Sequence, residues 1–179
     1  MTTSRRYLPG SADMARVQKD GENWTLVLVR QLRHPPERVW QALTDPAQLR
    51  EWSPFDAGGN MVIAVSTVKL STVGTPSPAI SETRIKRADA PKLLEYSWGD
   101  ADLRWELQDF GGGTRLTLWH NIDRRYIAMG AAGWHICFDV LDQALGGAPV
   151  GRIVGLEAMK FEGWQRLHAD YAKQFGREG

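Results

Sequence analysis

Gly133-Trp134-His135-Ile136-Cys137-Phe138-Asp139-Val140-Leu141-Asp142-Gln143-Ala144-Leu145-Gly146-Gly147 is the stretch whose reading decides the fold. On a helix at about 100° per residue, its polar side chains, His135, Asp139, Asp142 and Gln143, gather into an arc of roughly 100°. Trp134, Ile136, Cys137, Phe138, Val140, Leu141, Ala144 and Leu145 take up the remainder. A helix resting on one flat surface needs a narrower apolar stripe. The spacing therefore predicts a long helix held in a concave surface, ended by the glycine pair. The polar arc reads as its solvated side.

The residues before this stretch supply the surface. Leu103-Arg104-Trp105-Glu106-Leu107-Gln108 alternates with period two, so Leu103, Trp105 and Leu107 share one face. The Gly111-Gly112-Gly113 turn leads into Arg115-Leu116-Thr117-Leu118-Trp119-His120. Further upstream, Met61 to Val68, Ile80 to Arg87 and Leu93 to Trp98 read as strands. Ala15 to Gln18 and Trp24 to Leu32 form an opening hairpin around Lys19-Asp20-Gly21-Glu22. Links this short permit only antiparallel neighbours. Between hairpin and meander, His34-Pro35-Pro36-Glu37 starts a short helix carrying Val39, Trp40 and Leu43. Thr44-Asp45-Pro46-Ala47-Gln48 starts a second, with Asp45 as its N-cap rather than a catalytic acid. The expected fold is α+β: a curved antiparallel sheet of about six or seven strands wrapped around the long helix.

Pro149, Gly151 and Gly155 break the chain after that helix, and Leu156 to Phe175 reads as a last one. The expected organisation is a flexible arm over 1–13, one domain over 14–147, and a C-terminal helical extension over 148–179 packed on it. Phe161, Trp164 and Tyr171 in the extension need a covering surface, on their own domain or on a second copy; a homodimer is expected.

Composition narrows the function classes. A net charge of +1 predicts no attraction to nucleic acid or to an anionic membrane. No apolar run is long enough to span a bilayer, and Met1 to Arg6 lacks an apolar signal core, so a cytoplasmic protein is expected. The single cysteine, Cys137, excludes a disulfide framework and reads as an inert core thiol. Eight tryptophans are the unusual feature: each is a large rigid apolar surface with one donor, suited to packing and to aromatic ligands.

The chain has no zinc-protease, Cys-x-x-Cys, phosphate-loop or nucleophile-elbow pattern, and neither a metal nor a cofactor is expected. Asp139 and Asp142 read as solvated helix charges. His120 shares its strand face with Leu116 and Leu118, so it should point inward near the mouth of any cavity.

The segments His34-Pro35-Pro36-Glu37-Arg38-Val39-Trp40-Gln41-Ala42-Leu43-Thr44-Asp45-Pro46, Leu94-Glu95-Tyr96-Ser97-Trp98-Gly99, Leu103 to Leu107, Gly113 to Leu118, and Gly133-Trp134-His135 with Leu141 resemble the SRPBCC (START-like, helix-grip) superfamily. Within it they resemble the bacterial branch named for the C-terminal domain of the Hsp90 ATPase activator. The resemblance runs from about Val17 to Leu145 and implies the helix-grip fold. It also implies an apolar cavity between sheet and long helix; relatives include lipid carriers, plant hormone receptors and aromatase/cyclases. The expected function is non-catalytic binding of a small hydrophobic or aromatic molecule. Its expected lining is Trp52, Phe55, Leu103, Trp105, Leu118, His120, Met129, Gly133 and Cys137. A cyclase- or hydrolase-like enzyme using His120, with Asp102 or Glu106 nearby, is the first alternative. A co-chaperone-like interaction module is the second, although no stable complex with Hsp90 is expected.

Overall fold

The computed structural model describes residues 7–77 and 79–176. The chain opens with a hairpin of β1 (Ala15–Asp20) and β2 (Asn23–Leu32), followed by α1 (Pro36–Thr44) and α2 (Pro46–Leu49). The Asp45 carboxylate accepts the Ala47 N–H at 3.0 Å and so caps α2, as its position predicts. Then come β3 (Phe55–Ala57), β4 (Thr67–Thr72), β5 (Ile80–Arg84), β6 (Arg87–Asp89), β7 (Leu93–Trp98), β8 (Ala101–Phe110) and β9 (Gly113–Asn121). A 3-10 turn at Arg124–Tyr126 leads into the long helix α3 (Ile127–Leu145), and α4 (Gly155–Met159) and α5 (Glu162–Gly176) end the chain.

Among the described residues, one antiparallel sheet runs β1-β2-β9-β8-β7-β6 and a three-stranded sheet runs β3-β4-β5. The two adjoin where the Thr83 hydroxyl of β5 accepts the Ser97 N–H of β7 at 2.9 Å, a side chain bridging strands that do not pair as a ladder. Met61 to Val68, expected as one strand, instead turns over 61–66 before β4 begins. Local hydrogen bonds compete with the ladder there: the Asn60 side chain accepts the Val62 N–H at 3.0 Å, and the Ser66 hydroxyl donates to the Ile63 carbonyl at 2.6 Å. Ile80 to Arg87 likewise divides into β5 and β6: the Ile85 N–H still bonds on the β4 side, to the Ser66 carbonyl at 2.9 Å, whereas the Lys86 N–H turns to the Glu95 carbonyl of β7 at 2.8 Å. The last helix is broken between α4 and α5.

The helix α3 lies in the grip of the large sheet, as its wide apolar arc requires. Ile136, Phe138, Val140 and Leu141 have no exposed surface. Indoles fill the contact. Trp52 meets Trp105 edge-on with centroids 6.0 Å apart, and Trp105 meets Trp134 edge-on at 5.5 Å. The indole N–H groups of this cluster find acceptors, as burial of a donor demands. Trp52 donates to the Ala42 carbonyl at 3.0 Å, and Trp105 to the Tyr96 hydroxyl at 3.1 Å.

The far side of α3 departs from the solvated arc expected there. Helix α5 and the segment before β1 pack over it, so His135 is buried and its Nδ1 lies 2.7 Å from the Tyr171 hydroxyl. Asp139 holds both the Arg30 guanidinium and the Tyr7 hydroxyl. The buried residues are satisfied within this network, which is why polar groups can occupy the second interface. Trp164 and Tyr171 are buried within the same chain, so their apolar surface needs no second copy to cover it. Of the arm expected over 1–13, residues 1–6 lie outside the described residues; Tyr7 stacks on Phe161 at 5.9 Å.

Trp105 touches Trp52, Trp134 and Phe138 and is 1% exposed. Trp105→Ala should lower unfolding stability by about 3–5 kcal/mol in urea titration. A loss under about 1 kcal/mol would mean that the neighbouring rings do not depend on it.

A candidate binding pocket beside the long helix

The region between sheet and helix where a cavity is expected is filled. Trp52, Phe55, Leu103, Trp105 and Leu118 are each at most 1% exposed and none lines the pocket beside α3. With Trp134 and Phe138, 3% and 0% exposed, they fill the centre of the grip. The open space lies to one side, toward the start of α3. There a half-open pocket of about 330 Å³ is lined by the ends of β7 and β9, the first half of α3, and residues 153–164. Of the residues expected to line a cavity, His120, Met129, Gly133 and Cys137 do so here. The structure adds Trp98, Trp134 and the extension residues Ile153, Leu156, Met159 and Trp164, which sequence reasoning did not place. The signal available for the extension was an apolar run, Ile153-Val154, set against Gly155.

Two features hold the extension in position as a wall. The Arg152 guanidinium pairs with the Asp56 carboxylate at 2.8 Å and donates to the Leu49 carbonyl at 3.1 Å. Gly155 then presses on the β4–β5 loop: a Cβ there would lie 2.2 Å from the Gly74 carbonyl oxygen, and its φ is +63°. Only glycine fits both the approach and the backbone conformation. The Gly74 carbonyl accepts the Leu156 N–H at 2.9 Å, which locks the contact. On the helix side, Gly133 leaves a notch, since a Cβ there would meet nothing within 4 Å.

The lining holds no Asp, Glu, Lys or Arg; its titratable side chains are His120, Cys137 and Tyr126. Burial pushes the Cys137 thiol up to about 12, so it stays protonated and weakly nucleophilic. His120 is 6% exposed, and its Nδ1 accepts the Trp134 indole N–H at 3.0 Å. An indole N–H can only donate, so Nδ1 carries no proton and the neutral ring holds its proton on Nε2. Burial lowers the His120 pKa to about 4. Asp102 does not join it: its carboxylate pairs with Lys86 at 2.6 Å on an exposed part of the sheet, which holds it below the usual carboxylate range. Glu106 faces Arg104 at 3.7 Å, on the opposite side from Trp105. Among the described residues, His120 therefore has no carboxylate to orient it or to stabilise an imidazolium.

This arrangement has a pH signature. Above pH 6.5 the unfolded and folded forms of His120 are both neutral and the residue contributes no pH dependence. Between pH 6.5 and about 4 the unfolded chain takes up a proton that the folded chain refuses. Stability should fall there by up to about 1.4 kcal/mol per pH unit from this group. Urea midpoints at pH 7 and pH 5 should show a smaller drop in His120→Phe than in the parent; equal drops would place His120 in a solvated or charge-paired setting.

Residues 33–146 match the family model described as Activator of Hsp90 ATPase homolog 1-like protein. No curated protein matches the sequence. Among solved structures, a conserved protein of unknown function from Enterococcus faecalis is similar, with a TM-score of 0.73 at 14% identity over 93% of this chain and 92% of that one. CalU16 from Micromonospora echinospora is similar at 0.62 and 21% identity, covering 89% of this chain and 92% of that one. A protein from Nitrosomonas europaea is similar at 0.60 and 21% identity, over 73% of this chain and 98% of that one. At these identities the likeness establishes the fold, and function has to be argued from the site. No helix among the described residues is long and apolar enough to cross a membrane.

Proposed function

This chain belongs to the Activator of Hsp90 ATPase homolog 1-like family, and on that footing we propose that it binds a small, largely apolar or aromatic molecule without transforming it. The observation that carries this reading is the uncharged, indole-lined pocket of about 330 Å³ beside α3. Pockets for small molecules are mostly apolar concavities with a few placed polar groups. Trp98, Trp134 and Trp164 offer flat apolar faces, and His120 offers a polar contact. Catalysis by general acid and base at near-neutral pH needs a group whose pKa lies near the working pH. A histidine held neutral by burial and bonded to an indole does not meet that need, so binding is favoured over a cyclase- or hydrolase-like reaction. A stable complex with Hsp90 is not part of this reading.

Gly133 supports it independently. A glycine inside a helix costs roughly 0.5–1 kcal/mol relative to alanine. Nothing around Gly133 excludes a Cβ, so no packing contact explains the glycine, whereas an open pocket does. Gly133→Ala should raise stability by about 0.5–1 kcal/mol. Gly133→Leu should keep the fold, by far-ultraviolet circular dichroism, and fill the notch. Native mass spectrometry of the parent purified from its own cells should show a non-covalent adduct under about 500 Da, a size set by the pocket class. The adduct should be absent from Gly133→Leu. A bare mass for the parent, together with no thermal shift against a panel of lipids and polyphenols, would sink the proposal.

A further inference from the structure

The polar character of the pocket specifies more than apolar volume. His120 presents a ring nitrogen to it, and the state of that nitrogen follows from its other hydrogen bond. The Trp134 indole N–H, 3.0 Å from Nδ1, cannot accept, so it forces Nδ1 to be the acceptor and Nε2 to be the donor. Nε2 makes no hydrogen bond among the described residues and is not fully buried, so its N–H is free for a molecule in the cavity that His120 lines. The opposite tautomer would turn the same nitrogen into an acceptor and set Nδ1–H against the indole N–H. Protonation would do the same to Nδ1, at the loss of that bond. Of the other polar side chains that line the pocket, the Trp164 indole can only donate, the Thr75 hydroxyl spends its proton on the Ser77 carbonyl at 2.8 Å, and Tyr126 is 48% exposed, which leaves His120 as the buried polar group that sets the requirement. No lining side chain offers a permanent charge to a charged ligand, and burying an unpaired charge there is costly.

We infer that the molecule taken by this pocket is uncharged and carries a hydrogen-bond acceptor, a carbonyl oxygen or its equivalent, that meets His120 Nε2–H, and that Trp134 is the positioning residue that fixes the donor. The inference rests on the binding role proposed above and adds the chemistry of the ligand to it. Trp134 acts twice. Its ring faces form a wall, meeting Trp98 edge-on at 5.9 Å, and its N–H sets the tautomer. A Phe at 134 keeps most of the wall and removes the N–H, which separates the two roles.

The test uses the full chain and three probes on one carbon frame: indane, 1-indanone and the cation of 1-aminoindane. Affinities are read by NMR titration of the Trp indole and Gly133 signals at pH 7, and the His120 tautomer by long-range proton–nitrogen correlation. The expected spectrum shows Nε2–H. The expected order is 1-indanone about 3- to 10-fold tighter than indane, the range of one net hydrogen bond, with the ammonium weakest. His120→Phe should bring indane and 1-indanone to equal affinity. Trp134→Phe should reduce the preference for the ketone, and its His120 should titrate at higher pH than in the parent, a change that loss of packing alone would not produce. Equal binding of indane and 1-indanone by the parent, an Nδ1–H spectrum, or tighter binding of the ammonium overturns the inference and leaves the pocket reading standing. Failure of all three probes to shift any pocket signal overturns both. The parent comparisons need no variant, so a poorly folding His120→Phe does not blunt the test.

Discussion

The rest of the structure depends on the need to enclose α3. Its apolar side chains extend over more than half of its circumference, and no single flat layer can cover them. The six-stranded sheet covers one side and α5 covers much of the other, so the helix is the shared interior of two interfaces. The interfaces differ in kind. Toward the sheet it is built from indoles whose N–H groups each find an oxygen or a ring nitrogen. Toward α5 it is built around His135, Asp139 and their partners, a buried polar set that holds together because its members satisfy one another.

Filling the sheet side with large aromatic residues has a consequence for where a ligand can go. Trp52, Trp105, Trp134 and Phe138 are close-packed, so the middle of the grip has no room for a second molecule. Space remains where the indoles give way to a small residue, at Gly133 of α3, where a Cβ would meet nothing within 4 Å. Without residues 153–164 that space would be a shallow exposed face. The Arg152–Asp56 pair and the Gly155–Gly74 contact bring the extension across it and convert the face into a pocket. The extension is thus part of the site as well as a cover for the helix.

The fold was legible from periodicity. The arc of Trp134 to Leu145, the alternation of Leu103 to Gln108 and the Asp45 cap each rest on local geometry that tertiary contacts reinforced. The strand limits around residues 61–66 and 85–86 were not, because Asn60 and Ser66 side chains decide the first and a change of backbone partner from Ser66 to Glu95 decides the second, and such hydrogen bonds leave no periodic trace. The site was legible in part. Inward strand positions were read correctly as inward for Leu103, Trp105 and Leu118, but an inward side chain can fill a cavity as readily as line one. Which of the two it does depends on summed volume across several elements, and alternation carries no information on that. His135 and Asp139 were misread for a related reason: a polar arc on a helix looks the same whether water or a complementary polar surface covers it.

The buried polar network on the far side also bears on the pocket. Tyr171 and Trp164 are seven residues apart on α5, two helical turns, and so lie on the same face. An apolar helix interface sets register only through the shape of its ridges and grooves. The His135–Tyr171 bond at 2.7 Å adds a directional constraint, since a shift of α5 along α3 would strand both groups unpaired in the interior. It therefore sets the register of α5 on α3, and that register determines where Trp164 meets the pocket. The polar arc of the opening stretch, placed where water was expected, aligns the extension, and the apolar arc of the same stretch supplies Trp134 and Gly133 to the space the extension encloses.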